Sequence, residues 1–170
     1  PLRFIRWGEP LTHPNIVAYL RDAEAAGSLS HVNTNGSKLT EEMMDALIAI
    51  PLSSLKFSLQ GVDAKSYGEM RNIDFFDGLL ETIRCFNEKR GDRPLPYTHI
   101  STTITYESPE QVRAFDEGVR GLVDKVSIGH TVLEWVDLNA VRVRPHELET
   151  LKWLKQQESL VKIHPECPEV

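Results

Sequence analysis

The stretch "SLKFSLQ", residues 54–60, alternates strictly, with Leu55, Phe57 and Leu59 on one side and Lys56, Ser58 and Gln60 on the other. Successive side chains of a strand point to opposite faces, so this segment reads as a strand with one apolar and one polar face. Two later segments repeat the pattern. In "YTHISTTIT" (97–105), Ile100, Thr102 and Ile104 alternate with His99, Ser101, Thr103 and Thr105; in "KVSIG" (125–129), Val126 and Ile128 flank Ser127. "LRFI" (2–5) and "SHVNT" (30–34) complete a set of five strands.

Helical signals separate them. Residues 14–26 place Ile16, Leu20 and Ala23 on one face, with Pro14 suited to a first turn and Gly27 at the stop. Thr40 caps a helix whose first turn carries Glu41 and Glu42, where acids favour the helix dipole. A short helix is expected near 63–70 and a longer one from Asp74 to Lys89, striped by Phe76, Leu79, Leu80, Ile83 and Phe86. "SPEQ" (108–111) is a capping box opening a helix faced by Val112, Phe115 and Val119, and a last helix runs from Pro145 to about Gln157.

Strands separated by helices argue for parallel pairing through right-handed crossovers, which a doubly wound sheet and a (β/α) barrel both satisfy. Strands covered on both faces are apolar almost throughout, and these are not. A polar strand face in a helix-wrapped sheet fits a barrel lumen that holds a polar ligand. An α+β sheet with one face in water is the alternative.

The bulk numbers exclude several classes. The chain has 170 residues, 41% of them hydrophobic and 26% charged, as in an ordinary globular domain. A net charge of −6 argues against a nucleic-acid surface, and the apolar runs are too short to span a membrane. Two widely separated cysteines make no disulfide framework and suit a reducing cytoplasm. The chain opens at Pro1 within strand-like sequence and ends at "PECPEV", so it reads as a segment of a longer protein.

If the strands are parallel, their carboxyl ends share one rim, where ligands of such folds bind. The successive strand ends carry Gly8-Glu9, then Thr34-Asn35-Gly36, Ser58 with Gln60-Gly61, Thr103 and Thr105, and Gly129-His130. Glu9 can accept from an ammonium, while Ser58 and the downstream Arg71 can donate to a carboxylate, so together they would grip an amino acid by both charged ends. Each also has a plainer reading. Glu9 suits a capping acid, Asn35-Gly36 an ordinary turn, Arg71 a surface ion pair, and His99 and His130 hydrogen-bonded structural histidines. Cys85 lies off the apolar stripe of its helix, and no C-x-x-C pair or His/Cys cluster supplies a metal site.

The series "WGEP", "NTNG" and "KFSLQGVDAKSYGEMR" resembles the radical S-adenosylmethionine (SAM) superfamily over nearly the whole chain. The resemblance implies a partial (β/α)6 TIM-like barrel without its first strand, residues 1–160 holding strands two to six. It implies that Gly8 and Glu9 meet the amino group of the SAM methionine and that Ser58 and Arg71 meet its carboxylate. Asn35 and Thr103 would join the cofactor contacts, with Gln60 and His130 on the substrate side. Trp7 stands where the family has its first glycine, and Gln60 replaces the more usual acid. The C-x-x-x-C-x-x-C motif that holds the family's [4Fe–4S] cluster is absent from the chain. The tail "HPECPEV" resembles the start of a SPASM extension (161–170), with Cys167 as a ligand of an auxiliary iron–sulfur cluster.

These likenesses imply a cytoplasmic oxidoreductase that cleaves SAM to a 5′-deoxyadenosyl radical, with a peptide or protein among its candidate substrates and a flavodoxin or ferredoxin as electron donor. The chain alone is expected to be inactive and, with open strand edges, poorly behaved. The rival is a non-catalytic module that binds SAM or an amino acid without a cluster. A barrel hydrolase or aldolase is weaker, since Lys56 is the only lysine near a strand end and no acid–base pair accompanies it.

Overall fold

The computed structural model describes residues 1–4, 8–50, 52–130, 137–140 and 145–160, and the chain divides into two compact units, Pro1–Gly129 and His130–Val170. In the first unit, β1 (Leu2–Phe4), β2 (Ser30–Thr34), β3 (Ser54–Ser58) and β4 (Tyr97–Ile104) are joined by β5 (Lys125–His130), whose last residue crosses into the second. Between them run α1 (Ile16–Ala25), α2 (Glu41–Ala49), α3 (Ala64–Arg71), α4 (Phe76–Arg90) and α5 (Pro109–Val119).

The strands stand in the order β1-β2-β3-β4-β5, and the first three neighbouring pairs are parallel. A doubly wound sheet reverses direction at a switch point and puts helices on both faces. Here each crossover advances to the next strand, so the winding is single, as in a (β/α) barrel. The register sets His31 beside Ser54, Asn33 beside Lys56, and Lys56 beside His99. Backbone pairing continues past β3, with the amides of Leu59 and Gly61 donating to the carbonyls of Ser101 and Thr103 at 2.8 and 3.0 Å. All of 54–61 therefore tracks β4 to the rim.

The two faces separate as the alternation requires. Val32, Leu55, Phe57 and Ile100 are fully buried and pack with Leu20, Leu47, Leu79, Ile83 and Phe86 from the helices. Phe57 meets Phe86 edge-on at 6.1 Å between ring centroids. The expected stripes all point into this core: Ile16, Leu20 and Ala23 in α1, Phe76, Leu79, Ile83 and Phe86 in α4, Phe115 and Val119 in α5.

The caps account for where the helices start. Thr40 accepts from the Met43 amide, and Ser108 with Gln111 forms the full capping box with Pro109 at the first helical position. Asp63 and Ser66 form a second box at α3, one that local sequence pattern does not single out. Pro14 is a correction: it lies in a turn and α1 begins at Ile16 behind Asn15, since the His13 ring accepts the Asn15 amide and holds that stretch as a turn.

At the floor of the sheet, Asp124 accepts from the Thr98 amide at 2.6 Å, from the Thr98 hydroxyl at 2.8 Å and from both terminal nitrogens of Arg90. This ties α4, β4 and the start of β5 into one lock. In the second unit, α6 (Pro145–Leu160) carries a Lys152–Glu149 pair at 2.9 Å. Among the described residues no helix is long and apolar enough to cross a membrane.

Candidate functional site

Beyond β1 the backbone turns at Gly8, whose φ of +109° lies where side chains are disfavoured. Glu9 then caps a 3-10 turn, Pro10–Thr12, by accepting the Leu11 amide at 3.1 Å. The same carboxylate reaches the end of β2. Its Oε1 accepts the Thr34 hydroxyl at 2.7 Å and its Oε2 the Asn35 amide at 2.6 Å. Thr34 Oγ1 in turn accepts the Gly36 amide at 3.0 Å. Glu9 is thus both a capping acid and a clasp between two strand ends. Two carboxylate oxygens accept about four hydrogen bonds, and Oε2 has a single donor among the described residues. That leaves room for one ammonium N–H.

Asn35 is half-buried, and its Oδ1 accepts the Ser37 amide at 2.9 Å, closing a turn. Its side-chain oxygen is committed to the loop, so the plain turn reading of Asn35-Gly36 holds alongside the backbone contact to Glu9.

The next strand end carries Ser58 and Gln60 on the polar face, both half-buried. After them Gly61 takes φ +77°, and a Cβ built there would lie 2.5–2.8 Å from the side chain and backbone of Ser66. This tight turn brings α3 against the strand end, so Arg71, the last residue of α3, returns to the strand. Its Nη2 donates to the Ser58 carbonyl at 3.1 Å, and its Nε is buried without a partner among the described residues. No ion pair among those residues engages Arg71, against the plain expectation for a helix-end arginine. A guanidinium has five N–H donors, and here most remain for a ligand. The Thr34↔Phe57 register makes the β2 end that holds Glu9 the neighbour of Ser58, roughly 5 Å away between strands.

The α3 cap steadies this arrangement. Asp63 accepts the Ser66 amide at 2.7 Å and the Gln111 side chain at 2.7 Å. Burial pushes its carboxyl up, but these hydrogen bonds outweigh burial and hold it below the ordinary value.

Thr103 is half-buried on the polar face of β4, and its carbonyl receives the Gly61 amide. His130 is exposed at the end of β5. Below the rim the same face carries His31, whose Nδ1 lies 2.6 Å from Ser54 Oγ, and His99, whose Nε2 lies 2.9 Å from Ser127 Oγ. His99 makes the hydrogen bond that its plain reading requires. Lys56 stands in mid-strand beside it, not at the rim. His31, Asn33 and Arg3 carry no motif in the sequence, although the alternation in "SHVNT" marks the two former as polar-face residues.

Among the described residues no group of three or more His, Cys, Asp or Glu side chains is placed to hold a metal ion. Cys85 is a free, half-buried thiol packed against the core. Cys167 lies outside the described residues.

A singly wound parallel sheet with a polar inner face, and with an acid, a serine and an arginine unpaired among the described residues at its carboxyl rim, defines a partial-barrel protein. The radical SAM superfamily model matches residues 4–118, and the chain belongs to that superfamily. The AdoMet-dependent heme synthase of Methanosarcina barkeri is 28% identical over 113 residues, covering 66% of this chain and 31% of that protein. The PqqA peptide cyclase of Ruegeria pomeroyi is 41% identical over 54 residues, 32% of this chain and 14% of that one. The chain thus spans about a third or less of these curated relatives. Among solved structures, Streptococcus suis SuiB bound to S-adenosylmethionine superposes with a TM-score of 0.62 at 20% identity over 89% of this chain and 34% of that one. SuiB bound to precursor peptide SuiA gives 0.63 at 20% identity, over 89% of this chain and 35% of that one. Archaeal TYW1 gives 0.55 at 20% identity, over 91% and 48%. At such identities the likeness is one of fold, and it agrees with the partial barrel.

Proposed function

We propose that the rim holds the methionine end of SAM, and that the whole protein is a radical SAM oxidoreductase acting on a peptide or protein. The observation that carries the first part is Arg71: its guanidinium is delivered to the Ser58 carbonyl with a buried, unpartnered Nε, beside the strand end clasped by Glu9. A buried N–H without an acceptor is destabilising unless a ligand supplies one. A carboxylate does, and Arg71 grips it with paired, charge-assisted donors. The free lone pair of Glu9 Oε2 faces the opposite need, that of an ammonium. Gly8 keeps the turn open, and Asn35 and Thr103 line the approach.

Superfamily membership implies SAM and a [4Fe–4S] cluster, which when bound together supply hydrogen-abstracting radical chemistry. The residues present fit SAM. They do not include a cysteine triad, since the chain has only Cys85 and Cys167, so no step is assigned through the cluster. What this chain contributes is binding and orientation: Glu9 and Arg71 fix the methionine end, while Gln60 is offered to substrate. The peptide substrate is supported by the match to a peptide cyclase and the likeness to a precursor-peptide complex. Cys167 as an auxiliary-cluster ligand within a SPASM-like extension (161–170), a flavodoxin or ferredoxin donor, and a cytoplasmic setting complete the proposal.

The test uses the whole protein, purified without oxygen and reconstituted with iron and sulfide. Cluster uptake with 5′-deoxyadenosine release from SAM under a strong reductant is expected. SAM binding without cluster or cleavage would establish the non-catalytic module instead. Absence of SAM binding would overturn both.

A further inference from the structure

The polar face of the sheet carries cations at its floor, away from the rim. Arg3 on β1 is the register partner of His31 on β2. Lys56 on β3 is the register partner of His99 on β4. Lys125, first residue of β5, adds its charge to the environment of His99. The register stacks these residues in two rows, Arg3 with His31 level with Ser54, and Lys56 with His99 two residues higher on the same face. Arg3, His31, Lys56 and His99 line a cavity of about 440 Å³, walled further by Ser53 and Ser54, with no acidic residue among its lining. In a chain of net charge −6, that concentration is not compositional.

Among the described residues, neither Arg3 nor Lys56 makes a salt bridge, and the hydrogen bonds of His31 and His99 go to serine hydroxyls. Burial lowers the pKa of both histidines, and the positive charges of Lys56 with Arg3, and of Lys56 with Lys125, lower them further. One strand over from Lys56, Asn33 Oδ1 is buried without a donor among the described residues. Like charges converging on a cavity repel one another unless an anion enters, and an orphan acceptor beside them asks for a ligand N–H or O–H.

We propose that the floor formed by Arg3, His31, Lys56 and His99 is a binding site for an anionic group, a carboxylate or phosphate, of the molecule that occupies the barrel lumen. Lys56 lies two residues below Ser58 on the same face, roughly 7 Å deeper. A substrate anchored there extends up the wall of Asn33, Ser101 and Thr103 toward the rim. The inference rests on the lumen being the substrate chamber, but not on SAM binding or cleavage.

The experiment tracks the imidazole resonances of His31 and His99 in the whole protein, assigned with H31Q and H99Q, during titration with inorganic phosphate and, separately, succinate. Sodium chloride at matched ionic strength is the control. Expected is saturable binding that raises the pKa of both histidines, weakened at least tenfold in K56M and restored in K56R. A response to phosphate but not succinate assigns a phosphate, and the reverse assigns a carboxylate. SAM affinity, measured in parallel, is unchanged in K56M and reduced in R71M, so failure of the rim and failure of the floor are read separately. Histidine titrations indifferent to both anions, or binding equal in K56M and in the parent, would overturn the proposal; so would a response matched by chloride.

Discussion

One sheet carries two surfaces that obey different rules. On the helix side, Val32, Leu55, Phe57 and Ile100 are inaccessible to solvent and belong to one core with side chains from the surrounding helices. On the lumen side, one residue away along the same backbone, Asn33, Lys56, Ser58, His99 and Ser101 are half-buried, and two polar needs there go unmet: the Nε of Arg71 and the Oδ1 of Asn33 itself. Ser30 Oγ on the helix side and Arg90 Nε in α4 also lack partners among the described residues, but the helix side is closed by apolar packing and the lumen side is not. Stability is therefore concentrated at odd positions of β3 and binding capacity at even ones, and neighbouring substitutions should report on different properties.

The strongest break of that contrast is Phe57→Ala. It deletes a fully buried ring packed edge-on against Phe86 and leaves a cavity, which should destabilise by about 3–5 kcal/mol in a denaturant melt of the whole protein. SAM affinity measured in the fraction that stays folded should be unchanged. A loss of affinity at full folding would show that the two faces are not independent. Next is Gly61→Ala, where a positive φ and a Cβ 2.5 Å from Ser66 Oγ act together. Because the turn places Arg71, this substitution should lower both stability, by about 1–3 kcal/mol, and SAM binding. Gly61 is the position that couples the faces.

Arg71→Met removes the rim's unpaired donor while keeping the aliphatic stem. The expected loss in SAM affinity is at least tenfold, about 1.4 kcal/mol, by titration calorimetry. The loss should exceed that from Glu9→Gln. In Glu9 three hydrogen bonds already serve the fold, so Gln retains part of the clasp and trades an acceptor for a donor.

How much of this was visible in the chain depends on range. Alternation is a local property, so the strand faces, the helix stripes and the Thr40 and Ser108 caps could be read from a few neighbouring residues. The turn at Pro14 was misplaced because it is held by the ring of His13, a side chain with no strong turn preference of its own. Arg71 was legible as a carboxylate donor, but not its anchor on a backbone carbonyl 13 residues earlier, which depends on the turn at Gly61. The floor was the least legible. Arg3, His31, Lys56 and His99 are scattered over four strands and become one cluster only through parallel register. The Asp124 lock with Thr98 and Arg90 hides for the same reason.

That lock and the floor histidines make acid sensitivity a way to tell apart two groups at the same end of the sheet. For Asp124, burial raises the carboxyl pKa, but the hydrogen bonds from Arg90 and Thr98 prevail and hold it below the ordinary value. Its contribution is complete above the unfolded pKa of about 3.9 and is lost as pH falls through the folded value. The His31 and His99 pKa values are also depressed, by burial first, so their contribution is complete above about 6.5 and declines below it. The melting temperature should fall in two stages on acidification. Asp124→Asn should shrink the lower stage, which Asp63 shares, and His31→Gln with His99→Gln should remove the upper. Phosphate bound at the floor should flatten the upper stage alone.

The smallest expected effect is the most discriminating for the contrast itself. Ser101 lies on the lumen face of β4, is the register partner of Ser58, and is half-buried between Ile100 and Thr102, both of which are buried. Its carbonyl accepts the Leu59 amide, a backbone bond that alanine keeps. Ser101→Ala therefore removes only a hydroxyl facing the lumen, and stability should stay within about 0.5 kcal/mol of the parent. Ile100→Ala, one residue back, should cost several times more, about 2–5 kcal/mol. Near-equal costs would mean that the lumen face is packed against something as tightly as the core face, and the chamber assigned to SAM and substrate would have no room for either.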